Sequence, residues 1–522
     1  MNTCKCGTKL TSKGNTVKEG KIYKRYHCKS CSKSSNEYYT ELKDEIKNEE
    51  NLPKVEKFLW SEVVLDNVIK KYDKFVITSA INNTSYDKNF YASLLKYCHF
   101  NHAKLFIIPV RYNNPNAFHP NEKLECEWPE ELKEHFIENT VNLGENIKIL
   151  ADFHVTATSS NPLSGLERLC KGKTIIFGHS QLQMKSCPRL DNQDPIIITT
   201  TGSISTKNYS DSKAGYFANE NHKNSAVIVE MDRNEGIFHL RHLVADSVGS
   251  FYDLDYYYTP NRIAKNTRIA ALIPGDEHVI INSKKVYSAT YSNENSIVNV
   301  LKPEKIVRHD LLDSYSINYH DDKDFYKRYY KSLTYQDNLF SELFDTKNFI
   351  EETSDIASQY GEFENIIVDS NHSDHLLKWM NDPKSSLDVK NAAIYTELRS
   401  LMMEDMRKTL TSKVNPFKLY VKNHINPRYK VKFLEENTSY KINGVEVSIH
   451  GHNGTNGSRG SPEQYSKLGI PMITGHGHSP SINKECWTMG TSTDVRLEYA
   501  NGPTSNLNTH AIIHQSRNYT ID

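Results

Sequence analysis

The sequence predicts an α/β protein of two large domains carrying a small cysteine-bearing ribbon at its N-terminal end. Three observations predict it. Short apolar runs such as "DKFVITSAI" and "AKLFIIPV" flank a stretch with helical spacing, "NFYASLLKYCHF", which is the pattern of a βαβ unit. Four cysteines crowd the first 31 residues in paired spacing. In the second half, five apolar runs each end in histidine, aspartate or asparagine. A chain of 522 residues exceeds one ordinary core, so more than one domain is expected.

Charge and hydropathy narrow the function classes. Lys+Arg and Asp+Glu both total 64, so the net charge is zero and any basic surface is local. The opening "MNTCKCGTKL" has no apolar signal-peptide region, and no run of about 18 apolar residues is present, so a soluble, unexported chain without a membrane span is expected. Nine cysteines are too few for a disulfide scaffold of this length, which points to a reducing compartment.

The first element is residues 1–35. Cys4 and Cys6, then Cys28 and Cys31, form a C-x-C…C-x-x-C pattern close to a zinc ribbon, in which four thiolates close a tetrahedral shell around one structural Zn2+. The first knuckle is one residue short, and His27 is an alternative ligand. Lysines and arginine surround the cysteines with Tyr23 and Tyr26 interleaved, a composition suited either to phosphate backbones or to a solvated face. The acidic and lysine-rich stretch 36–59 reads as a linker.

Residues 60–260 read as an N-terminal α/β domain continued by "NIKILADFHV", "KTIIFGHS", "PIIITTTGS" and "SAVIVEMD". Asp152 and His154 in "ADFHV", with His179 in "FGHS", imitate a metal motif. No further ligand element follows in order, so structural roles are expected for them. The aromatic stretch "FYDLDYYYTP" suits packing between domains better than base stacking.

Residues 261–522 behave differently. "RIAALIPGDEHV" runs into Asp276 and His278, and "EKIVRHDLLDS" into His309, Asp310 and Asp313. "ENIIVDSNHSDHLLKWM" ends at Asn371 and His372, "GVEVSIHGHNG" at His450 and His452, and "IPMITGHGHSP" at His476 and His478. Each strand hands polar groups over at its C-terminal end, where open α/β sheets place their ligand crevice. Neutral imidazole, carboxylate and amide oxygen together suit divalent metal ions.

The ordered series D-x-H, D-x-x-D, N-H, H and G-H-x-H resembles the calcineurin-like metallophosphoesterase superfamily over residues 261–522. The resemblance implies two β-sheets flanked by helices, with two divalent ions at the strand ends, Mn2+ first and Mg2+ second. It gives Asp276, His278 and His478 to one metal, Asn371, His450 and His476 to the other, and Asp310 to both. His372 would then assist the leaving group, with Asp374 as the carboxylate that orients it and Asp369 or Asp313 as alternatives. Elementary chemistry agrees, since paired divalent ions need a shared anionic oxygen, lower the pKa of water and neutralise phosphoryl charge.

A narrower likeness runs through nearly the whole chain. "FVITSAINNTSYDKNF", "TTTGSISTKNYSDSKAG", "HDLLDSYSINYHDD" and "HGHNGTNGSRGS" are similar to the pre-early DNA-transfer and host-DNA-degradation proteins of T-odd siphophages. This implies a DNA nuclease, a hydrolase made early in infection and acting on host DNA in the host cytoplasm. A homo-oligomer and another phage early protein as partner are expected on the same grounds. The glycine-rich "HGHNGTNGSRGS" could cradle phosphate, with Arg459 as a clamp, or serve as a plain loop. The competing readings are a phosphatase or cyclic-nucleotide phosphodiesterase, and a DNA-binding regulator with a structural metal site.

Overall fold

The computed structural model describes residues 6, 11–18, 21–31, 34–41, 62–112, 127–190, 193, 195–318, 321, 323–435, 438–496, 502–515 and 519–521. Among them no helix is long and apolar enough to cross a membrane. The chain divides into two compact units, residues 1–56 and 57–522.

The first unit holds an antiparallel sheet of three strands, Thr11–Lys18, Lys21–His27 and Ser34–Glu41. The third strand continues to Glu41, inside the stretch 36–59 that the sequence reads as linker. Its residues, SSNEYYTE, lack the aliphatic side chains that mark the strands of the second unit, which is why the stretch reads as linker.

The second unit is built from three main sheets. Its strands, in chain order, are β1 Lys74–Ile81, β2 Ala103–Val110, β3 Val141–Asn142, β4 Ile147–Ile149, β5 Thr174–Phe177, β6 Gln183–Cys187, β7 Ile196–Thr200, β8 Ser225–Asp232 and β9 Ile237–Val244. There follow β10 Ala271–Ile273, β11 Lys305–Arg308, β12 Glu364–Ile367, β13 Val431–Phe433, β14 Lys441–Ile442, β15 Val445–Glu446, β16 Met472–Thr474, β17 Ser481–Asn483, β18 Cys486–Thr488, β19 Ala511–Ile513 and β20 Tyr519–Ile521. One sheet has the order β9-β8-β1-β2, a second β13-β12-β11-β10-β19-β20, and a third, of ten strands, β14-β15-β16-β18-β17-β6-β7-β5-β4-β3. The last joins strands from both sides of the expected boundary at 260/261, and a small sheet over 251–265 crosses that boundary as well.

Composition explains the layering. β1 and β2 are nearly continuous apolar runs, buried on both faces, as parallel neighbours in a covered sheet must be. Helix α1, Lys88–Phe100, starts where the Asp87 carboxylate accepts from the N–H groups of Asn89 and Phe90 at 3.0 and 2.9 Å. It buries Phe90, Leu94 and Tyr97, spaced at helical period, against Val76, Leu105 and Ile107. Phe251 and Tyr258 of the aromatic stretch pack into this same core. The opposite face, Phe75, Ile77, Phe106 and Ile108, meets Ile147, Ile149 and Ile176 of the ten-stranded sheet.

The C-terminal part repeats this arrangement. Helices α2 Leu339–Ser358, α3 Asn371–Asn381, α4 Ala392–Thr409 and α5 Pro416–His424 cover one face of the six-stranded sheet, with Leu343, Ile350, Leu376, Leu398 and Tyr420 packed on Leu272, Ile306 and Ile367. Its other face, including Ile273, Val307 and Ile513, meets Ile473, Ile482 and Trp487 of the ten-stranded sheet. Strands β10, β11 and β12 run parallel, so their C-terminal ends open on one side.

Candidate metal centre

Five segments converge at those strand ends. Asp276 and His278 follow β10, Asp310 and Asp313 follow β11, Asn371 and His372 open α3, His450 follows β15, and His476 and His478 follow β16. The chain turns sharply there: His278, Asp310, Ser314, His476 and His478 all have positive φ, between 37° and 67°. Non-glycine residues hold that conformation only where their surroundings impose it, and such strain gathers at functional sites. Gly475 is needed for a different reason. A Cβ there would lie 2.3 Å from Asp276 Oδ1, so only glycine lets the two loops meet.

The ligand atoms form overlapping groups. Asp276, His278, Asp310 and His478 bring theirs within 4.8 Å of one another, and Asp310, His450 and His476 do the same. His278 Nε2 and His478 Nε2 face each other at 3.0 Å, and His478 Nε2 lies 3.3 Å from Asp276 Oδ2. His450 Nε2 is 3.1 Å from both Asp310 Oδ2 and Asn371 Oδ1. Asp310 belongs to both groups, the position that the resemblance assigns to a carboxylate shared by both ions.

Two divalent ions fit this donor set. Asp276 Oδ1 and Asp310 Oδ1 are buried without a hydrogen-bond partner, a costly state for a carboxylate unless a cation satisfies it. Two imidazole nitrogens about 3 Å apart match donors ~2.1 Å from a common ion. Electrostatics favour anionic oxygens here: burial pushes Asp310 up, but His450 and His372 outweigh it and hold the carboxyl well below its ordinary range. Asp276 is likewise lowered, by His478 and His450 against burial. His476 is lowered to about 4, by burial and then by His450, which leaves its imidazole neutral and able to bind metal.

His372 stands beside the ligands. Its Nδ1 donates to the Asp313 carbonyl at 2.5 Å and lies 3.1 Å from Asp313 Oδ1, while Nε2 is 3.8 Å from Asp310 Oδ2. Burial lowers its pKa, yet the Asp310 and Asp313 carboxylates prevail and raise it. The carboxylate beside His372 is therefore that of Asp313, which also accepts from His278 Nδ1 at 3.0 Å. Asp374, first choice from the sequence, is half-exposed and lies 4.0 Å from His452 instead. Asp369 accepts from Asn415 at 2.9 Å.

Three further parts were not singled out as site residues. His309 is fully buried, stacks on His450, and forms a third group with Asp276 and His450. His452 sits 5.4 Å, ring to ring, from His450. Beneath them Arg308, with no exposed surface, pairs with Glu277 at 2.8 and 3.0 Å and donates to Asn365 and Thr353. The alternation of charged and metal-binding letters in D-E-H and R-H-D was the available signal. Arg459 is exposed on its loop.

In the first unit Cys6 Sγ lies 3.4 Å from Cys28 Sγ and 3.8 Å from Cys31 Sγ, a three-cysteine group able to hold a metal ion. Cys4 lies outside the described residues. The imitation motif in the N-terminal half holds no metal group among the described residues. Asp152 accepts from Thr140 at 2.7 Å, His154 meets Arg111 at 3.3 Å, and His179 is buried with both ring nitrogens engaged by backbone.

The chain is 30% identical over 466 residues to protein A1 of Escherichia phage T5, an alignment covering 87% of this chain and 82% of that protein. No family model and no solved structure matches it.

Proposed function

The chain belongs to the family of phage T5 protein A1, and on that premise we propose that its centre is a two-metal phosphodiesterase site of the calcineurin-like type, used as a DNA nuclease early in phage infection. The observation that carries this reading is the pair of ligand groups sharing Asp310, with buried carboxylate oxygens left for cations. Divalent ions so held, Mn2+ or Mg2+, supply charge neutralisation and lower the pKa of water. Asp276, His278 and His478 would hold one and Asn371, His450 and His476 the other, with Asp310 available to both.

The chain's own contribution beyond binding is proton management. Asp313 fixes the His372 ring through Nδ1, which leaves Nε2 facing the crevice. Burial lowers the pKa of His372, but the Asp310 and Asp313 carboxylates prevail and raise it, which favours the protonated form that can donate to the departing oxygen of a phosphodiester. The cysteine unit, with its basic and aromatic composition, would add phosphate contacts and fits a polymeric substrate better than a small one.

The test is cleavage of circular and linear DNA by the purified chain with Mn2+, Mg2+ or EDTA. Cleavage should require the ions, and Asp310→Asn should abolish it while leaving the folded chain intact; full rates in that variant would sink the reading. For the cysteine unit, metal analysis should find one zinc that survives Asp310→Asn and disappears in Cys28→Ser.

A further inference from the structure

The ten-stranded sheet has the same order from either end. From one edge, β14 and β15 are antiparallel, β15 and β16 parallel, β16 and β18 parallel, and β18 and β17 antiparallel. From the other edge β3, β4, β5, β7 and β6 repeat that sequence of relations. The flanking sheets agree. β10 lies parallel to β11 and antiparallel to β19, itself antiparallel to β20; β1 stands in the same relations to β2, β8 and β9. Taken in chain order, β1–β9 match β10, β11 and β14–β20, and only β12 and β13, with their helices, are additional.

The seam between the halves obeys a twofold rule. β17 runs antiparallel to β6 with Ile482 opposite Met184, Ser481 opposite Lys185 and Asn483 opposite Gln183. Register then aligns residues. Met472 pairs with Glu446 and Cys486, as Ile175 pairs with Lys148 and Ile198. Three residues on, Gly475-His476-Gly477-His478 falls on Gly178-His179-Ser180-Gln181, and four past Cys486 and Ile198, Gly490 falls on Gly202. Ser492 N–H donates to Asp276 O as Ile204 N–H donates to Ser79 O, both at 2.8 Å. Val279 N–H donates to Leu311 O as Asn82 N–H donates to Val110 O, at 3.0 and 3.1 Å.

The ligand positions can now be compared. Asp276, His278 and Asp310 fall on Ser79, Ile81 and Pro109, and His450, four past Glu446, falls on Asp152, four past Lys148. His476 falls on His179, whose Nδ1 accepts from Gln181 N–H at 3.0 Å and whose Nε2 lies 3.2 Å from Thr156 O, so neither nitrogen is available to a metal. We infer that residues 74–244 are a duplicate of the unit that builds the metal centre, emptied of ligands and retained as its fixed partner. β17 begins three residues after His478, and its edge is covered by β6 of the duplicate. Ser186 N–H also donates to Pro480 O at 3.3 Å, and Lys223 pairs with Glu485 at 2.6 Å. The duplicate thus braces the loop that carries His476 and His478, and its seam residues are positioning residues for metal binding.

This bracing rests on the metal reading, whereas the duplication does not, and the experiment separates them. Equilibrium dialysis of the full chain against Mn2+ counts bound ions. His179→Gln and Asp152→Asn should leave the count and affinity unchanged; a lost ion would show that the duplicate is not empty. Met184→Ala should weaken Mn2+ binding by about tenfold, the scale of outer supporting contacts, and Lys223→Ala, which spares the core, by a smaller factor that Lys223→Arg restores. Wild-type binding in both seam variants would overturn the bracing. Without metal, thermal unfolding of residues 57–522 in the full chain should be one transition that Met184→Ala lowers as a whole; two transitions, only one of them shifted, would overturn the fixed partnership.

Discussion

The two halves of the second unit present the same strand ends with opposite chemistry. In the C-terminal half those ends carry buried carboxylates with orphan oxygens, imidazoles facing one another, and left-handed backbone at four of the ligands. In the N-terminal half the equivalent ends carry hydroxyl, apolar and proline side chains, the one carboxylate, Asp152, accepts from Thr140, and the remaining imidazole is satisfied by backbone. Apart from β12 and β13 with their helices, the strand order is the same in both. The difference lies in a few loop residues, which shows that the fold supplies a place for chemistry and the loops supply the chemistry.

The comparison can be broken most severely at His372. His372→Ala should keep both metals and slow DNA cleavage by roughly 10²–10⁴-fold, with a smaller loss on a nitrophenyl phosphodiester, whose leaving group needs no proton. Asp313→Asn should fall in the same direction, and Asp374→Ala should leave the rate near that of the parent. Loss of a metal ion in His372→Ala would move that residue into the ligand set.

A second break lies under the centre. Arg308→Met strands the Glu277 carboxylate in a fully buried site, which should cost about 3–5 kcal/mol of stability. Urea unfolding of the metal-free chain measures it. A cost below about 1 kcal/mol would mean that water or another cation reaches Glu277.

The smallest effect sharpens the contrast from the silent half. His135, His179, His222 and His242 are held neutral, burial being the first cause in each, with values lowered to about 4 for the first three and about 3 for His242. Below their ordinary value near 6.5 the unfolded chain takes up protons that the folded chain does not. Their contribution is therefore intact above about pH 6.5 and is lost progressively as pH falls toward 4. Denaturation midpoints measured between pH 8 and 5 should decline over the lower part of that range, and His242→Gln should make the decline shallower. A flat profile would show that these imidazoles are hydrated.

Much of the centre was legible because its chemistry is written in rare letters. Asp276, His278, Asp310, Asn371, His450, His476 and His478 follow apolar strands in order, and the structure brings them together. Asp374 misled because nearness in sequence is not nearness on a helix. Residues 372 and 374 lie on α3 about 200° apart around its axis, so their side chains diverge. Asp313 reaches His372 from another loop, a pairing that no local spacing encodes. The shared ten-stranded sheet stayed hidden because several of its strands, such as "MIT", "SIN" and "CWT", are three residues long and carry no period. The duplication was hidden for a chemical reason, since Ser79, Ile81 and Pro109 stand where Asp276, His278 and Asp310 would have announced a second copy, and Asp152 and His179 alone are too few to do so.

The pairing of β6 with β17 also has a consequence in time. Lys185 and Ser481 are partners separated by 481 − 185 = 296 residues, so β6 has no neighbour on that side until nearly the whole chain has been made. At about 5–20 residues per second, a nascent chain would carry this open edge for roughly 15–60 s. An uncovered strand is a template for unwanted association, and a lysine in its middle is a recognised deterrent. Lys185 occupies that position, so the same residue that later faces Ser481 guards the strand while it waits on the ribosome.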